Sequence, residues 1–375
     1  MANFIERLSQ KVETKKSDLV HTLQFDASVN ELALAQLVNR HWHQLPLAAA
    51  AARRPAFAVD GSRAVRHLAN GAYLFVAQAL IVGERAGERI EASDVDVSIL
   101  PGATDAALIE RSAGFLMHQL EVGLARQAIA QMPPRTTLFL DGALYGQLTS
   151  LYAWGDDAQT QLPPDIFDLP AAILDHYLQL FAACAQRDLI VISIAKTSHE
   201  KAHANVWWQA EHGGDLPKEK EISDSEAIYR WTERRAGFST PILFGQSSVF
   251  RGARRSLLDS MQAAPAIVSF FVRLADFDDA LRIDVPAACL GLGETIGAVE
   301  QERLLAPALV APILGLLAAD YGGLEVYNAL LYSVDREVRL RQEMMDQVYL
   351  NLIQDALGGQ VEIRLDRSER RFHAR

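Results

Sequence analysis

Thr137-Leu138-Phe139-Leu140-Asp141-Gly142 reads as a buried strand that carries a carboxylate to its end and then turns. Ala56-Phe57-Ala58-Val59-Asp60-Gly61-Ser62 has the same form earlier in the chain. A carboxylate before Gly points into a crevice, and the Gly lets the chain turn sharply. A single Asp-Gly is an ordinary turn starter. Two of them after buried strands bring like charges a strand spacing apart, which repel unless a cation lies between them. A divalent metal with oxygen ligands is the usual remedy. The pattern leaves both readings, turn and metal, open.

Outward from these two strands, Tyr73 to Val82 is predicted as a second strand and Glu88 to Leu100, with Ile90, Val95, Val97 and Ile99, as a third. Thr104 to Met132 has helical spacing, with Thr104 as its cap, and Pro133-Pro134 stops it. Pro170 to Gln186 is predicted as a helix and Leu189 to Ile194 as a fifth strand. The order from 56 to 194 is then β-β-β-α-β-α-β. Three early strands form a meander, and helical crossovers make the last two parallel to the first. The fold predicted is α/β, a ribonuclease H-like mixed five-stranded core sheet with helical N- and C-terminal additions. Asp60 and Asp141 then stand at the carboxyl ends of neighbouring parallel strands, where open α/β sheets bind ligands.

The chain is expected to be a single domain over 1–375. It comprises a helical N-terminal part (1–54), the core (55–198), and additional strands and C-terminal helices (199–375). Leu32, Leu34, Leu37 and Val38 carry the helical spacing of the first part; Ala48 to Pro55 marks its boundary. Ile267 to Leu274 and Leu281 to Val285 are further strand candidates, and Tyr327 to Leu357 is predicted mainly helical.

Half of the 375 residues are hydrophobic, enough for a sizeable core. The net charge of −11 disfavours a sequence-independent DNA coat protein, although a local basic channel is compatible with it. Cys184 and Cys289 are too few for a disulfide framework or a Cys-rich zinc site, and a reducing cytoplasm is the expected location. Met1 to Val20 lacks the apolar core of a signal peptide. Leu304 to Ala319 is shorter than a membrane span and contains Pro307 and Pro312, so a buried helix is expected, with no membrane partner.

The long helix offers a third carboxylate. Glu121 lies between Leu120 and Leu124, beside the buried stripe, where it could equally pair with Arg126. Glu110 competes with it, but a Glu near a helix start is favoured by the dipole anyway. Metal held by carboxylates suits phosphodiester hydrolysis. Lys196, directly after the fifth strand, could neutralise phosphate charge or be a solvated loop lysine.

Ala58-Val59-Asp60-Gly61-Ser62, Phe139-Leu140-Asp141-Gly142-Ala143-Leu144 and Ile192-Ser193-Ile194-Ala195-Lys196-Thr197-Ser198 resemble the successive motifs of the NurA nuclease family. Phe270-Phe271-Val272-Arg273-Leu274, Leu281-Arg282-Ile283-Asp284-Val285-Pro286, and Tyr327 with Asp335 eight residues on extend the resemblance. The resemblance implies a manganese-dependent DNA nuclease, with Mg²⁺ as the other candidate ion. It implies 5′ to 3′ exonuclease and single-strand endonuclease action on DNA ends in double-strand break repair. It further implies a homodimer docked on a hexameric HerA-type ATPase translocase. Asp60, Glu121 and Asp141 match the acidic metal ligands, and Tyr327 matches an active-site tyrosine. Asp335 stands where the family usually has a histidine. Aspartate still offers oxygen to Mg²⁺ or Mn²⁺. Ala143 replaces a usual serine.

Other motifs compete. His199-Glu200-Lys201-Ala202-His203 matches the zinc-peptidase pattern H-E-x-x-H, which requires both histidines on one helix face. His41 and His43 are two apart, which suits a strand. Gly291 to Gly297 misses the dinucleotide spacing, and no P-loop is present, so any motor must be a partner. Arg251, Arg254 and Arg255, and Arg367, Arg370, Arg371 and Arg375, are basic clusters that could contact phosphate. Trp207-Trp208 could stack on bases or bury in an interface. Besides the nuclease, three readings stay open: a zinc peptidase, a catalytically weak interaction protein of the translocase, and a nuclease acting on RNA.

Overall fold

The computed structural model describes residues 4–23, 29–46, 54–152, 154, 158–198, 200–217, 222–246 and 255–358. Three helices open the chain: α1 (Phe4–Thr14), α2 (Lys16–Leu23) and α3 (Val29–Arg40). A two-residue strand β1 (Trp42–His43) follows, then the meander β2 (Ala56–His67), β3 (Tyr73–Arg85) and β4 (Glu88–Leu100). The long helix α4 (Ala106–Ala128) crosses to β5 (Thr137–Asp141). Short helices α5 (Leu144–Ser150), α6 (Ala158–Gln161) and α7 (Pro164–Phe167) lead into α8 (Leu169–Arg187), which crosses to β6 (Ile190–Ala195).

The second half adds α9 (Ala202–His212), α10 (Asp224–Trp231), β7 (Gly237–Ser239), β8 (Ile242–Phe244) and α11 (Arg255–Ala263). It continues with β9 (Ile267–Arg273), β10 (Leu281–Pro286), β11 (Arg303–Leu304), α12 (Ala311–Ala319), α13 (Ala329–Val338), α14 (Gln342–Met344) and α15 (Leu350–Ala356).

The five predicted core strands are contiguous in the order β6-β5-β2-β3-β4. β2 pairs antiparallel with β3 and parallel with β5, and β5 pairs parallel with β6, as the crossovers require. The additional strands expected in 199–375 join this same sheet. The order continues β10-β9-β7-β1 beyond β6, with β8 on β9 and β11 on β8, giving eleven strands among the described residues. Every residue of β9 and β10 is buried, so their apolar runs extend the core and do not decorate it.

One apolar layer lies between the sheet and α4, α8 and α9, with Phe57, Val59, Leu138, Leu140 and Phe271 pointing into it. The opposite layer holds Ala58, Phe139, Ile192, Phe270 and Ile283 against α12 and α13. Strand alternation fixes this division.

Three local expectations are corrected. β2 does not stop at Asp60; it runs on to His67 because β3 pairs with it along its whole length. Asp105, not Thr104, caps α4, accepting a hydrogen bond from the Ala107 backbone N–H at 2.7 Å. Within Leu304 to Ala319 only Ala311 onward is α-helical, after a 3₁₀ turn at Pro307–Val310. No helix among the described residues is long and apolar enough to cross a membrane.

Candidate active site

Pairing between β2 and β5 runs to Val59 opposite Leu140, so Asp60 and Asp141 are the next residues level on the two strands. Alternation puts both on the face of Ala58 and Phe139, toward α13. Asp141 ends its strand, and Gly142 turns the chain with φ +94°. Gly61 has a different task from the turn expected of it. It stays in β2 opposite Ala79. A Cβ there would lie 2.5 Å from Glu121 Oε1 and 2.7 Å from Met117 Cγ. The missing side chain is what lets Glu121, on α4 across the sheet, reach the middle of β2 beside Asp60.

Asp60 is only 6% exposed and accepts a hydrogen bond from the Gly61 N–H at 2.8 Å. Burial first, then the charges of Asp141 and Glu121, push its carboxyl pKa up to about 8 from 3.8. Burial also raises Asp141, with Lys196 opposing and Glu121 and Asp335 adding to the rise. Glu121, buried as well, bonds to His118 Nδ1 through Oε2 at 3.2 Å; Arg126 bonds to Gln179 instead. Glu110 lies on the surface, paired with Arg63, and is not part of the cluster.

Lys196 leaves the end of β6 and places Nζ 3.4 Å from Asp141 Oδ1 and 3.5 Å from Asp335 Oδ1. Burial works against its charge, but Asp141, Tyr327 and Asp335 outweigh that and hold its pKa above the ordinary lysine value. Tyr327 OH donates to Asp141 Oδ1 at 3.5 Å, and Lys196 Nζ sits 5.0 Å from the Tyr327 ring centre. Burial and Asp141 raise the phenol pKa. Asn328, fully buried, caps α13 by accepting from the Leu331 N–H, which fixes Tyr327 just before the helix and Asp335 two turns into it. Asp335 is also paired with Arg339 at 3.6 Å.

The six residues selected from sequence, Asp60, Glu121, Asp141, Lys196, Tyr327 and Asp335, therefore occupy one electrostatic neighbourhood. Among the described residues no three His, Cys, Asp or Glu side chains already surround a single point as a finished cation cage. Lys196 stands between Asp141 and Asp335, and Glu121 is turned to His118. The donor set is nonetheless all oxygen, and Asp60 is a buried carboxyl that a divalent cation would relieve of its neighbours' repulsion.

The sequence reading missed two groups. His118, Tyr177 and Gln147 stand behind Glu121 and Asp141; only the i, i+3 spacing of His118 and Glu121 signalled any of it. Arg282, fully buried on β10, holds Asp284 Oδ1 at 3.0 Å and is hydrogen-bonded to Glu200. Asp284 Oδ2 accepts from the Tyr145 N–H at 2.9 Å. The alternation Arg282-Ile283-Asp284 was the available signal.

That network disposes of the peptidase pattern. Glu200 is an Arg282 partner, α9 begins only at Ala202, and His199 lies outside the described residues. His203 is fully buried among Trp207, Phe244 and Phe271. Asp224 accepts from the His203 and Ala204 backbone N–H groups and caps α9. Trp207 and Trp208 are buried within the fold, not offered to bases. His41 is structural too, stacked on Trp207. Ala48 to Arg53, Arg251, Arg254 and the cluster from Arg367 to Arg375 lie outside the described residues.

Comparison with curated protein sequences gave no match. Among solved structures the chain is similar to the NurA nuclease from Sulfolobus solfataricus (TM-score 0.62, 15% identity, covering 96% of this chain and 99% of that one). It is also similar to a NurA crystal structure with manganese (TM-score 0.54, 14% identity, 94% and 98% covered). A NurA bound to dAMP and manganese gives a TM-score of 0.54 at 14% identity, covering 92% and 97%. At such identities these likenesses speak for the fold. The NurA domain model matches residues 54–340, the greater part of the sequence, and the chain belongs to the NurA domain family.

Proposed function

We propose that this chain is a metal-dependent deoxyribonuclease with a ribonuclease H-like core, hydrolysing phosphodiester bonds at the cluster around Asp60 and Asp141. The contiguous order β6-β5-β2-β3-β4 supports the core assignment. The ion is Mn²⁺, with Mg²⁺ as its substitute: the donors are hard oxygens, and a similar NurA crystal structure contains manganese. Asp60, Glu121 and Asp141 would hold it, joined by Asp335 once Lys196 turns to substrate. When bound, the metal supplies activation of the attacking water and stabilisation of the leaving oxygen.

The chain's own groups do the rest. β2 and β5 hold two carboxylates level, so their spacing is set by backbone pairing. Lys196, kept charged by its neighbours, is placed to hold a phosphate oxygen. Tyr327, its phenol pKa raised, keeps its proton and donates a hydrogen bond toward Asp141. DNA is favoured as substrate because a similar NurA is bound to dAMP. Family membership further supports 5′ to 3′ exonuclease and single-strand endonuclease action in DNA end resection. It also favours a homodimer working with a HerA-type hexameric ATPase in the cytoplasm.

The observation that carries the proposal is the level placement of Asp60 and Asp141 with Glu121 admitted beside them over Gly61. The test is cleavage of linear single- and double-stranded DNA in Mn²⁺, Mg²⁺ or EDTA, with Asp60→Asn as control. Metal-dependent cutting that vanishes in Asp60→Asn is expected; cutting that persists in EDTA or in the variant refutes it. One observation favours a second reading, a catalytically weak interaction protein of the translocase: Asp335 is engaged by both Lys196 and Arg339. On that reading the protein binds the translocase but cuts with no metal, and Asp335→His restores cleavage.

A further inference from the structure

A continuous hydrogen-bond chain runs behind the carboxylates. Gln147 Nε2 on α5 donates to the Asp141 backbone carbonyl at 3.0 Å. That carbonyl only accepts, so the Gln147 amide is fixed with its oxygen facing the other way. Tyr177 OH on α8 donates to this oxygen at 3.0 Å. The phenol has one proton, so His118 Nε2, 2.9 Å away, must donate to the Tyr177 oxygen. His118 Nδ1 then faces Glu121 Oε2 at 3.2 Å, a link that closes with one further proton, held either by the ring as imidazolium or by the carboxyl.

The environment holds this chain in one arrangement. Tyr177 and His118 are buried, and Tyr177 stacks on Phe181 with ring centres 5.5 Å apart. A Cβ on Gly142 would lie 2.7 Å from Gln147 Nε2, so glycine there is also what lets the amide reach the Asp141 carbonyl. Burial raises the Tyr177 phenol well above its ordinary pKa, which preserves it as a donor. Three elements that meet only in the tertiary structure are thereby tied together: α4 through His118, α8 through Tyr177 and α5 through Gln147.

We propose that His118, Tyr177 and Gln147 are positioning residues that brace Glu121 against Asp141, setting the separation at which the two carboxylates share a divalent ion. The proposal rests on the nuclease reading above. Outer hydrogen bonds of this kind orient ligating side chains, and their loss typically weakens metal binding about 10- to 100-fold. A side chain that only fills the core would alter stability and leave ion affinity alone.

The test uses full-length protein and follows free Mn²⁺ by its electron paramagnetic resonance signal, beside thermal melts and DNA cleavage across a Mn²⁺ titration. The variants are Tyr177→Phe, which removes one hydroxyl and keeps the ring, Gln147→Met, and the two combined. The expected result is about 10-fold weaker Mn²⁺ binding in either single variant. The double variant should be no worse than the singles, because one broken link opens the whole chain. Turnover should return toward wild type at saturating Mn²⁺. Unchanged Mn²⁺ affinity in Gln147→Met and in folded Tyr177→Phe overturns the brace. If Tyr177→Phe fails to fold, Gln147→Met decides. Wild-type protein that binds no Mn²⁺ overturns both the brace and the nuclease reading. Binding by wild type that is lost in Asp60→Asn but equal in the brace variants overturns the brace alone.

Discussion

Asp60→Asn should make the metal-free protein more stable while abolishing its chemistry. The carboxyl ordinarily titrates at 3.8 and is pushed up to about 8 in the fold by burial, Asp141 and Glu121. Below 3.8 the folded and unfolded chains both hold the proton, and Asp60 costs nothing. Between 3.8 and 8 the folded chain holds a proton that the unfolded chain has released. Stability therefore falls as pH rises through this window and levels off above it. At about 1.36 kcal/mol per unit the full penalty is on the order of 5 kcal/mol. Relaxation of the neighbouring carboxylates reduces it, and about 3 kcal/mol is a working figure at pH 9. For 375 residues that corresponds to a rise of about 4 °C in Tm.

The assay is differential scanning calorimetry of wild type and Asp60→Asn in EDTA, from pH 5 to pH 9. The advantage of the variant should widen with pH up to about 8 and then stay constant. Mn²⁺ should raise the wild-type Tm, because an ion that binds only the folded state stabilises it, and should leave Asp60→Asn nearly unmoved. A variant that melts at or below wild type in EDTA at pH 9 would falsify the claim that burial and the neighbouring carboxylates penalise the Asp60 charge without a cation.

Gly61→Ala should displace Glu121, since the new Cβ would lie 2.5 Å from Oε1; Mn²⁺ affinity measured by calorimetric titration should fall about 10-fold, and equal affinity refutes the steric role of this glycine. Lys196→Met should lower kcat on DNA about 100-fold at saturating Mn²⁺, and a variant whose loss appears only in KM contradicts a transition-state role for the ammonium. Arg282→Met leaves Asp284 and Glu200 without their shared cation; a loss of about 3–5 kcal/mol in urea unfolding is expected, and a near-wild-type midpoint refutes the structural assignment. His203→Phe should abolish no activity, and any zinc-dependent peptidase activity lost with it revives the discarded motif.

The core strands were legible because their signals are local. Apolar runs at 137–140 and 189–194, with the helical spacing between them, are properties of neighbouring residues, and the crossovers then force parallel pairing. The length of β2 was not legible. Asp60-Gly61 looks like a strand end from within the chain, yet the partner β3 supplies hydrogen bonds on to His67. β7, β8 and β11 are two or three residues long and owe their strand form to partners distant in sequence, so no periodicity announced them, and for β1 the two-residue spacing of His41 and His43 was the one hint. Asp60, Asp141 and Lys196 were found for a similar reason, whereas Tyr327 and Asp335 entered only through the family resemblance. Carboxylates next to glycine and a lysine after a strand are unusual locally, whereas Tyr177 and Gln147 are ordinary residues on ordinary helices.

By itself, then, the sequence determined the α/β order of the core and the identity of the charged groups, since strand alternation and helical spacing act over a few residues. The tertiary structure alone decided what those groups face. Glu121 approaches from the opposite side of the sheet and reaches Asp60 only because Gly61 leaves a gap. Glu200 and His203, side by side in a catalytic-looking motif, are separated into a buried ion-pair network and a buried packing position. Contacts of this kind depend on packing between elements far apart in the chain, and burial, through desolvation and the absence of screening water, sets their electrostatic character.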